Sequence, residues 1–219
     1  DNLFAFNMAR NPSINKGRHV VVANNLISDV NVGVKTGAVP GYHASVSIQK
    51  NVVRRARTPL LARVVSEEPE KSKIHITPDN RVSGKTFDSI TDIWAKAVTN
   101  PFKLGDVPEI CRVNTAPVMV PGLKLRPVDE VEPSVLAKAG ARPADRDPVD
   151  ARIIRNVKTG QGKLPIQSQD DVGGWPELEE NRRALRLPES PYGDADGDGY
   201  TNLEEWLHAF AATVEGTEE

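Results

Sequence analysis

Only one cysteine, Cys111, occurs in 219 residues, so no disulfide can form within the chain. Cysteine usage therefore gives no mark of the compartment. No apolar run approaches the roughly 20 residues that a membrane-spanning helix needs, and no membrane span is expected. Neither sign of charge dominates: 28 basic residues stand against 30 acidic ones, with a net charge of −2 and an isoelectric point near 6.2. That balance supplies no overall attraction to nucleic acid. Phosphate-binding glycine loops, nucleophile elbows and zinc clusters are lacking as well. His19, His43, His75 and His208 show no metal-binding spacing and read as structural or surface residues. The sequence starts at Asp1 with neither a methionine nor a signal peptide, so a processed or truncated N-terminus is expected.

What the chain has in quantity is proline and glycine, 17 and 16 residues, which implies many turns and a β-rich, loop-rich body. At this length it can bury a core without metals or disulfides. Charge is uneven locally. Lys50, Arg54, Arg55 and Arg57 form a basic stretch, readable either as a solvated edge or as a contact for an acidic polymer.

The first half repeats itself. An asparagine followed by apolar residues recurs at Asn2-Leu3-Phe4, Asn25-Leu26-Ile27 and Asn51-Val52-Val53, with a weaker echo at Asn80-Arg81-Val82, at spacings of 23, 26 and 29 residues. Ahead of the later asparagines stand alternating β-branched runs, around Val20-Val21-Val22, Val46-Ser47-Ile48 and Ile74-His75-Ile76. One repeat per coil of a parallel β-helix fits this order. Stacking like residues about 4.8 Å apart lets inward-turned asparagines form a ladder of amide hydrogen bonds. A β-helix beginning at Asp1-Asn2 presents an open row of backbone groups, so a partner chain, self-association or further coils are expected at that edge.

These residues carry a resemblance. The segment from Asp1 to Pro12, DNLFAFNMARNP, resembles a motif of bacterial pectate lyases of polysaccharide lyase family one. Val149 to Ile153, Ser168 to Pro176 and Asp196 to Glu205 are similar to the tail of many of these enzymes. The region from about Glu67 to Val131 matches only loosely. The resemblance implies a partial right-handed parallel β-helix in an all-β chain: coils over 1–126, then an irregular, partly helical extension over 127–219.

It also implies a chemistry, the calcium-assisted β-elimination of an acidic uronate polysaccharide of the pectate type. In the family signature R-x-P-x-x-R the first arginine removes the C5 proton, and here Arg10 and Pro12 match it. Asn15 replaces the second arginine, so Lys16 and Arg18 are the candidates to hold a substrate carboxylate. Cations ease proton removal beside a carboxylate, although an arginine must lose its high basicity to act as the base. The family's catalytic calcium is held by coils ahead of the arginine coil. This chain alone is accordingly expected to show little or no lyase activity.

Beyond Pro127 the strand signal stops. A short helix is predicted over Pro133 to Ala139, ending at Gly140. Pro143, Pro148, Pro165 and Pro176 suggest an extended wrap on the coils rather than an independent core, with Trp175 as a packing anchor. Residues 194–205 read as a calcium loop. Asp194, Asp196, Asp198, Asn202 and Glu205 fall at ligand positions, Tyr200 offers its carbonyl, and Gly199 occupies the sharp turn. Leu187-Pro188-Glu189-Ser190-Pro191 cannot form an entering helix, whereas 202–214 has helical spacing, with Leu203, Trp206, Leu207 and Phe210 facing inward. A half-motif of structural Ca2+ is the expectation, with a secreted or periplasmic address. The competing functional reading is a noncatalytic extracellular carbohydrate-binding or surface β-helix.

Overall fold

The computed structural model describes residues 1–100, 106–175 and 186–215. Its strands are β1 (Leu3–Ala5), β2 (Ser13–Ile14), β3 (Val20–Ala23), β4 (Leu26–Ala38), β5 (Ser45–Gln49), β6 (Val52–Val64), β7 (Lys73–Ile76), β8 (Arg81–Val82) and β9 (Val98–Thr99). They form two parallel sheets. One is ordered β1-β4-β6-β8, with β2 also on β4 and β9 on β6, and the other is β3-β5-β7. The chain visits both sheets once per turn, giving a parallel β-solenoid of about three turns.

The alternation of the Val/Ile runs sends one side chain in two between the sheets. Ile27, Val34, Val53 and Leu60 from the first sheet meet Val22, Val46, Ile48, Ile74 and Ile76 from the second in one continuous core. Where the chain turns from sheet to sheet, the asparagines stack as the repeat predicts. Asn2 Nδ2 donates to Asn25 Oδ1 at 2.9 Å, Asn25 Nδ2 to Asn51 Oδ1 at 2.9 Å, and Asn51 Nδ2 to Asn80 Oδ1 at 3.0 Å. Each Oδ1 also accepts the backbone N–H of the preceding asparagine, at 3.0–3.1 Å. Buried turns are thereby satisfied coil by coil, as burial demands.

A second ladder was not legible in the sequence. Phe6, Asp29 and Arg55 occupy equivalent places one residue beyond the paired set Ala5, Ser28 and Arg54, and all three are left-handed, with φ of 57°, 56° and 48°. These corners interrupt the long strands β4 and β6 without ending them. Non-glycine residues hold this backbone at some strain, offset by the pairing on either side.

The last turn is closed by helix α1 (Ile90–Lys96) and by residues 106–113. Ser89 Oγ caps α1 by accepting from Asp92 N, and Ile93, Trp94, Val107 and Cys111 enter the core. The Cys111 thiol donates to Pro69 O at 3.0 Å, and His75 Nδ1 lies 2.9 Å from Val113 O, so both have structural partners.

The extension differs from the expected wrap. Helix α2 (Val128–Lys138) starts earlier than predicted and contains Pro133 in its interior, and α3 (Pro148–Thr159) was not foreseen. Pro133 removes one intrahelical bond, but burial of Val131, Val135 and Leu136 holds the helix. With Ile154 and Val157 of α3 these residues cover Leu26 and Val52 on the outer side of the first sheet. A second core therefore exists, shared with the coils. The local signals for α3 were present: Asp147 Oδ1 accepts from Val149 N and Asp150 N at 2.8 Å, Pro148 starts the helix, and Gly160 ends it at φ 72°.

The basic stretch fastens this extension. Arg54 pairs with Glu132 and donates to the carbonyl of Val157, while Arg55 pairs with Asp29 at 2.6 Å and donates to the same carbonyl at 2.8 Å. Two guanidiniums at the C-terminal end of α3 complement its dipole. Burial lowers the basicity of Arg54, whereas the hydrogen bond to Asp29 raises that of Arg55. Arg54, half-buried, and Arg55, exposed, thus clamp the extension to the coils, a role no contact gives to Lys50 or Arg57 among the described residues. Trp175 is 79% exposed and is not a packing anchor among the described residues, and Pro176 lies outside them.

Candidate functional site

The segment carrying Arg10 is pinned along the edge of β4. Val32 N donates to Met8 O at 3.0 Å, Asn11 N to Gly33 O at 3.1 Å, and Lys35 N to Pro12 O at 2.9 Å. Asn11 is buried, with its Nδ2 on Val32 O at 2.8 Å and its Oδ1 accepting from Asn7 Nδ2 at 3.0 Å. Between these anchors Arg10 takes a left-handed conformation, φ 70°, and stands exposed. A sharp, well-tied turn thus presents one guanidinium to solvent.

Beside it lie two cations that the R-x-P-x-x-R pattern does not include. Lys35 alternates with the core residues Val34 and Thr36 and so projects from the outer side of β4, between Gly33 and Gly37. Arg63, opposite Gly37 on β6, belongs to the same outer row. Burial, then Arg63, then Arg10 push the Lys35 ammonium below the usual lysine range, which places the three charges in one electrostatic neighbourhood. Arg63 Nε is buried without a hydrogen-bond partner among the described residues. The flanking glycines are buried, and a side chain at either would meet the backbone of the next coil, Pro59 O at 2.3 Å from Gly33 and Arg63 O at 1.7 Å from Gly37. The signal for Lys35 and Arg63 was the coil repeat itself, once projected onto the side chains of the later coils.

The other proposed carboxylate holders lie differently. Lys16 sits over the ring of Tyr42, 4.5 Å from its centroid, an interaction that holds the ammonium against the loop after β4. Arg18 is exposed. Asn15, where the motif has an arginine, donates to Ser13 Oγ at 3.3 Å and has a buried, unpartnered Oδ1. Lys35 and Arg63 thus join Lys16 and Arg18 as candidate cations near the Arg10 turn.

The acidic loop forms a second candidate centre. Carboxylate oxygens of Asp194, Asp196 and Asp198 lie within 4.8 Å of one another. Amides of the loop organise them: Gly197 N and Gly199 N donate to Asp194 at 2.7 and 3.0 Å, Asp198 N to Asp196 at 3.3 Å, and Tyr200 N to Asp198 at 2.8 Å. Asp196, with further help from burial and from Asp198 and Asp194, raises the Glu205 carboxyl above its usual range, so Glu205 shares the field of the triad. Asn202 Oδ1 accepts from Ala195 N at 3.1 Å, and its Nδ2 donates to Ser190 O at 3.0 Å, so this side chain also fastens the two ends of the loop.

Helix α4 (Asn202–Glu215) follows the loop directly. Thr201 and Glu204 cap it reciprocally, with Thr201 N donating to Glu204 Oε2 at 2.8 Å and Glu204 N to Thr201 Oγ1 at 3.3 Å. That is the reason a threonine stands at the eighth loop position. Residues 187–191 are not helical, as predicted. The expected inward packing of α4 is not found. None of residues 202–214 is buried, and Trp206 stacks on Phe210 with centroids 5.4 Å apart, burying apolar surface within the helix's own face.

Comparison with protein-family models, with curated proteins and with solved structures finds no match. The parallel β-solenoid stands on the geometry of the chain itself.

Proposed function

We propose that the outer face of β4 and β6 binds an acidic polysaccharide, and that Arg10 acts there in a β-elimination of the pectate-lyase type. The observation that carries this reading is the register that sets the Arg10 turn against Val32 to Lys35 of β4 and Arg63 of β6 opposite Gly37, on the same outer row as Lys35. Repeating carboxylates of a polyuronate match such a row in charge. Pairing a uronate carboxylate with these cations acidifies its neighbouring C5 proton. Arg10 takes that proton only after passing its own to water, and as the C4–C5 double bond forms the C4–O bond breaks and the leaving oxygen is protonated by solvent. The acidic loop is proposed to hold Ca2+ through Asp194, Asp196, Asp198 and Glu205, with the Tyr200 carbonyl and Asn202, in a structural role. A calcium loop of this kind supports a secreted or periplasmic location.

Incubation with polygalacturonate and calcium, followed by ultraviolet absorbance of the unsaturated product, tests the chemistry. Product that disappears in Arg10→Ala is the expected sign of a working site. A second reading, noncatalytic binding, is favoured by Asn15, which engages Ser13 in place of the second motif arginine. In that case polygalacturonate is retained without product, and Lys35→Ala and Arg63→Ala weaken retention. Absence of both product and retention refutes the polysaccharide reading.

A further inference from the structure

The outer side of the second sheet is covered by a strap that side chains hold in place. Residues 113–126, without helix or strand, pass β7, β5 and the end of β3 in turn. At β7, Val113 N donates to Ile74 O at 3.2 Å and Val113 O meets His75 Nδ1. At β5, Ser47 Oγ donates to Val118 O at 2.7 Å and Gln49 Nε2 to Met119 Sδ at 3.1 Å. Just past β3, Arg126 N donates to Asn24 Oδ1 at 2.7 Å, and Asn24 Nδ2 donates to Arg126 O at 3.0 Å. Ser47, Gln49 and His75 alternate with core residues and so point outward. All three are nonetheless buried, because the strap lies over them.

The fastening at Met119 differs from the rest. A thioether sulfur is a weak acceptor, yet among the described hydrogen bonds it is the acceptor that the buried Gln49 amide finds. Met119 is itself 45% exposed, which opens its side chain to small solutes. The 3.1 Å between nitrogen and sulfur leaves no room for a further atom between them.

We propose that Met119 is a site of oxidation by hydroperoxides and that its sulfoxide releases the strap. A sulfur lone pair attacks one oxygen of hydrogen peroxide and the O–O bond breaks. The proton on the transferred oxygen passes to the departing hydroxide, giving water; the sulfur loses two electrons and the peroxide gains them. The new oxygen breaks the latch wherever it turns. Aimed at Gln49, it pushes the strap outward; aimed at water, it leaves a partly positive sulfur facing the Gln49 N–H. Gln49 then lacks an acceptor beneath the strap, and opening relieves that loss by admitting water. The bond from Ser47 to Val118, next along the chain, opens with it. The proposal is independent of the polysaccharide reading.

The chain has two methionines. Met8 lies on the Arg10 turn against β4, in the other sheet, so Met8→Leu leaves Met119 as the one residue that forms a sulfoxide. Folded Met8→Leu protein is treated with hydrogen peroxide, and peptide mass mapping locates the added oxygen. Limited trypsin digestion then reads the strap through cleavage after Lys124, which tracks the population of the open form. The expected result is one oxygen on Met119 and cleavage about tenfold faster, with amide exchange at Val46 and Ile74 unchanged. Methionine sulfoxide reductase with a thiol is expected to restore slow cleavage, which separates the effect from oxidation of the buried Cys111. Met119→Leu is expected to make cleavage indifferent to peroxide; should that variant fail to fold, the reductase step on Met8→Leu decides. No oxygen on Met119 in the folded chain, oxidation without faster cleavage, or a peroxide response that persists in Met119→Leu each overturns the proposal.

Discussion

Replacing Asn51 by alanine is expected to remove about 3–5 kcal/mol of folding stability. Asn51 is completely buried and sits in the middle of the ladder. Its Oδ1 accepts from Asn25 N at 3.1 Å and Asn25 Nδ2 at 2.9 Å, and its Nδ2 donates to Val22 O, Gln49 O and Asn80 Oδ1 at 2.9–3.1 Å. Alanine leaves both Asn25 donors without an acceptor in a dry turn, at about 1–3 kcal/mol each. The remaining losses are milder. Asn80 Oδ1 keeps the backbone N–H of residue 51, and Gln49 O keeps Asn24 N at 3.3 Å. Asn51→Asp retains the acceptors for Asn25 but buries a carboxylate against Asn80 Oδ1, and is expected to be no better. At the exposed end of the same ladder, Asn2→Ala is expected to change stability by less than about 1 kcal/mol, because water replaces its bonds. Guanidinium denaturation followed by circular dichroism measures the three variants, with an unchanged denaturant slope confirming that the midpoint reports stability. An Asn51→Ala loss below about 1 kcal/mol, or one equal to that of Asn2→Ala, refutes the claim that the ladder organises the turns.

Gly37→Ala is expected to destabilise by about 3 kcal/mol or more, because the added carbon meets Arg63 O at 1.7 Å and φ is +147°; thermal melting checks it. Replacing Arg54 and Arg55 together by methionine is expected to release α2 and α3, so that amide exchange accelerates at Val131 and Val135 while Val46 and Ile74 stay protected. Titration calorimetry is expected to show calcium binding that Asp194→Ala and Asp198→Ala abolish. The Glu205 carboxyl is raised in the folded loop, so without a cation the loop loses stability as pH climbs from the unfolded pKa through the folded one. Added calcium is therefore expected to raise the melting temperature of the loop more at pH 7 than at pH 4, and equal shifts at both refute the assignment.

Much of the solenoid could be read directly from residue order. An asparagine after a β-branched run, repeated at near-constant spacing, has few satisfactory folds other than stacked coils, since only stacking pairs each buried amide with its equivalent. The acidic loop was equally local: its carboxylates, its glycine turn and the proline-rich approach all lie within twenty residues. Helix α3 also carried its own caps, in Asp147, Pro148 and Gly160, yet the density of prolines around it suggested an extended path.

Other features depend on which coils meet. The repeats are 23, 26 and 29 residues long, so side chains equivalent in space are not equally spaced in sequence, and Lys35 and Arg63 join Arg10 only once the strand register is fixed. Arg54 and Arg55 look like any surface basic run until α3 brings a helix C-terminus against them. The left-handed corners at Phe6, Asp29 and Arg55 leave no compositional trace, because neighbouring coils rather than glycine stabilise them. The sequence by itself determined the local features, turns, caps, strand faces and the acidic loop, whose partners are near along the chain. Tertiary structure decided which cations share a face and which core the extension completes, because charge and burial act through space between residues that the chain separates by whole coils.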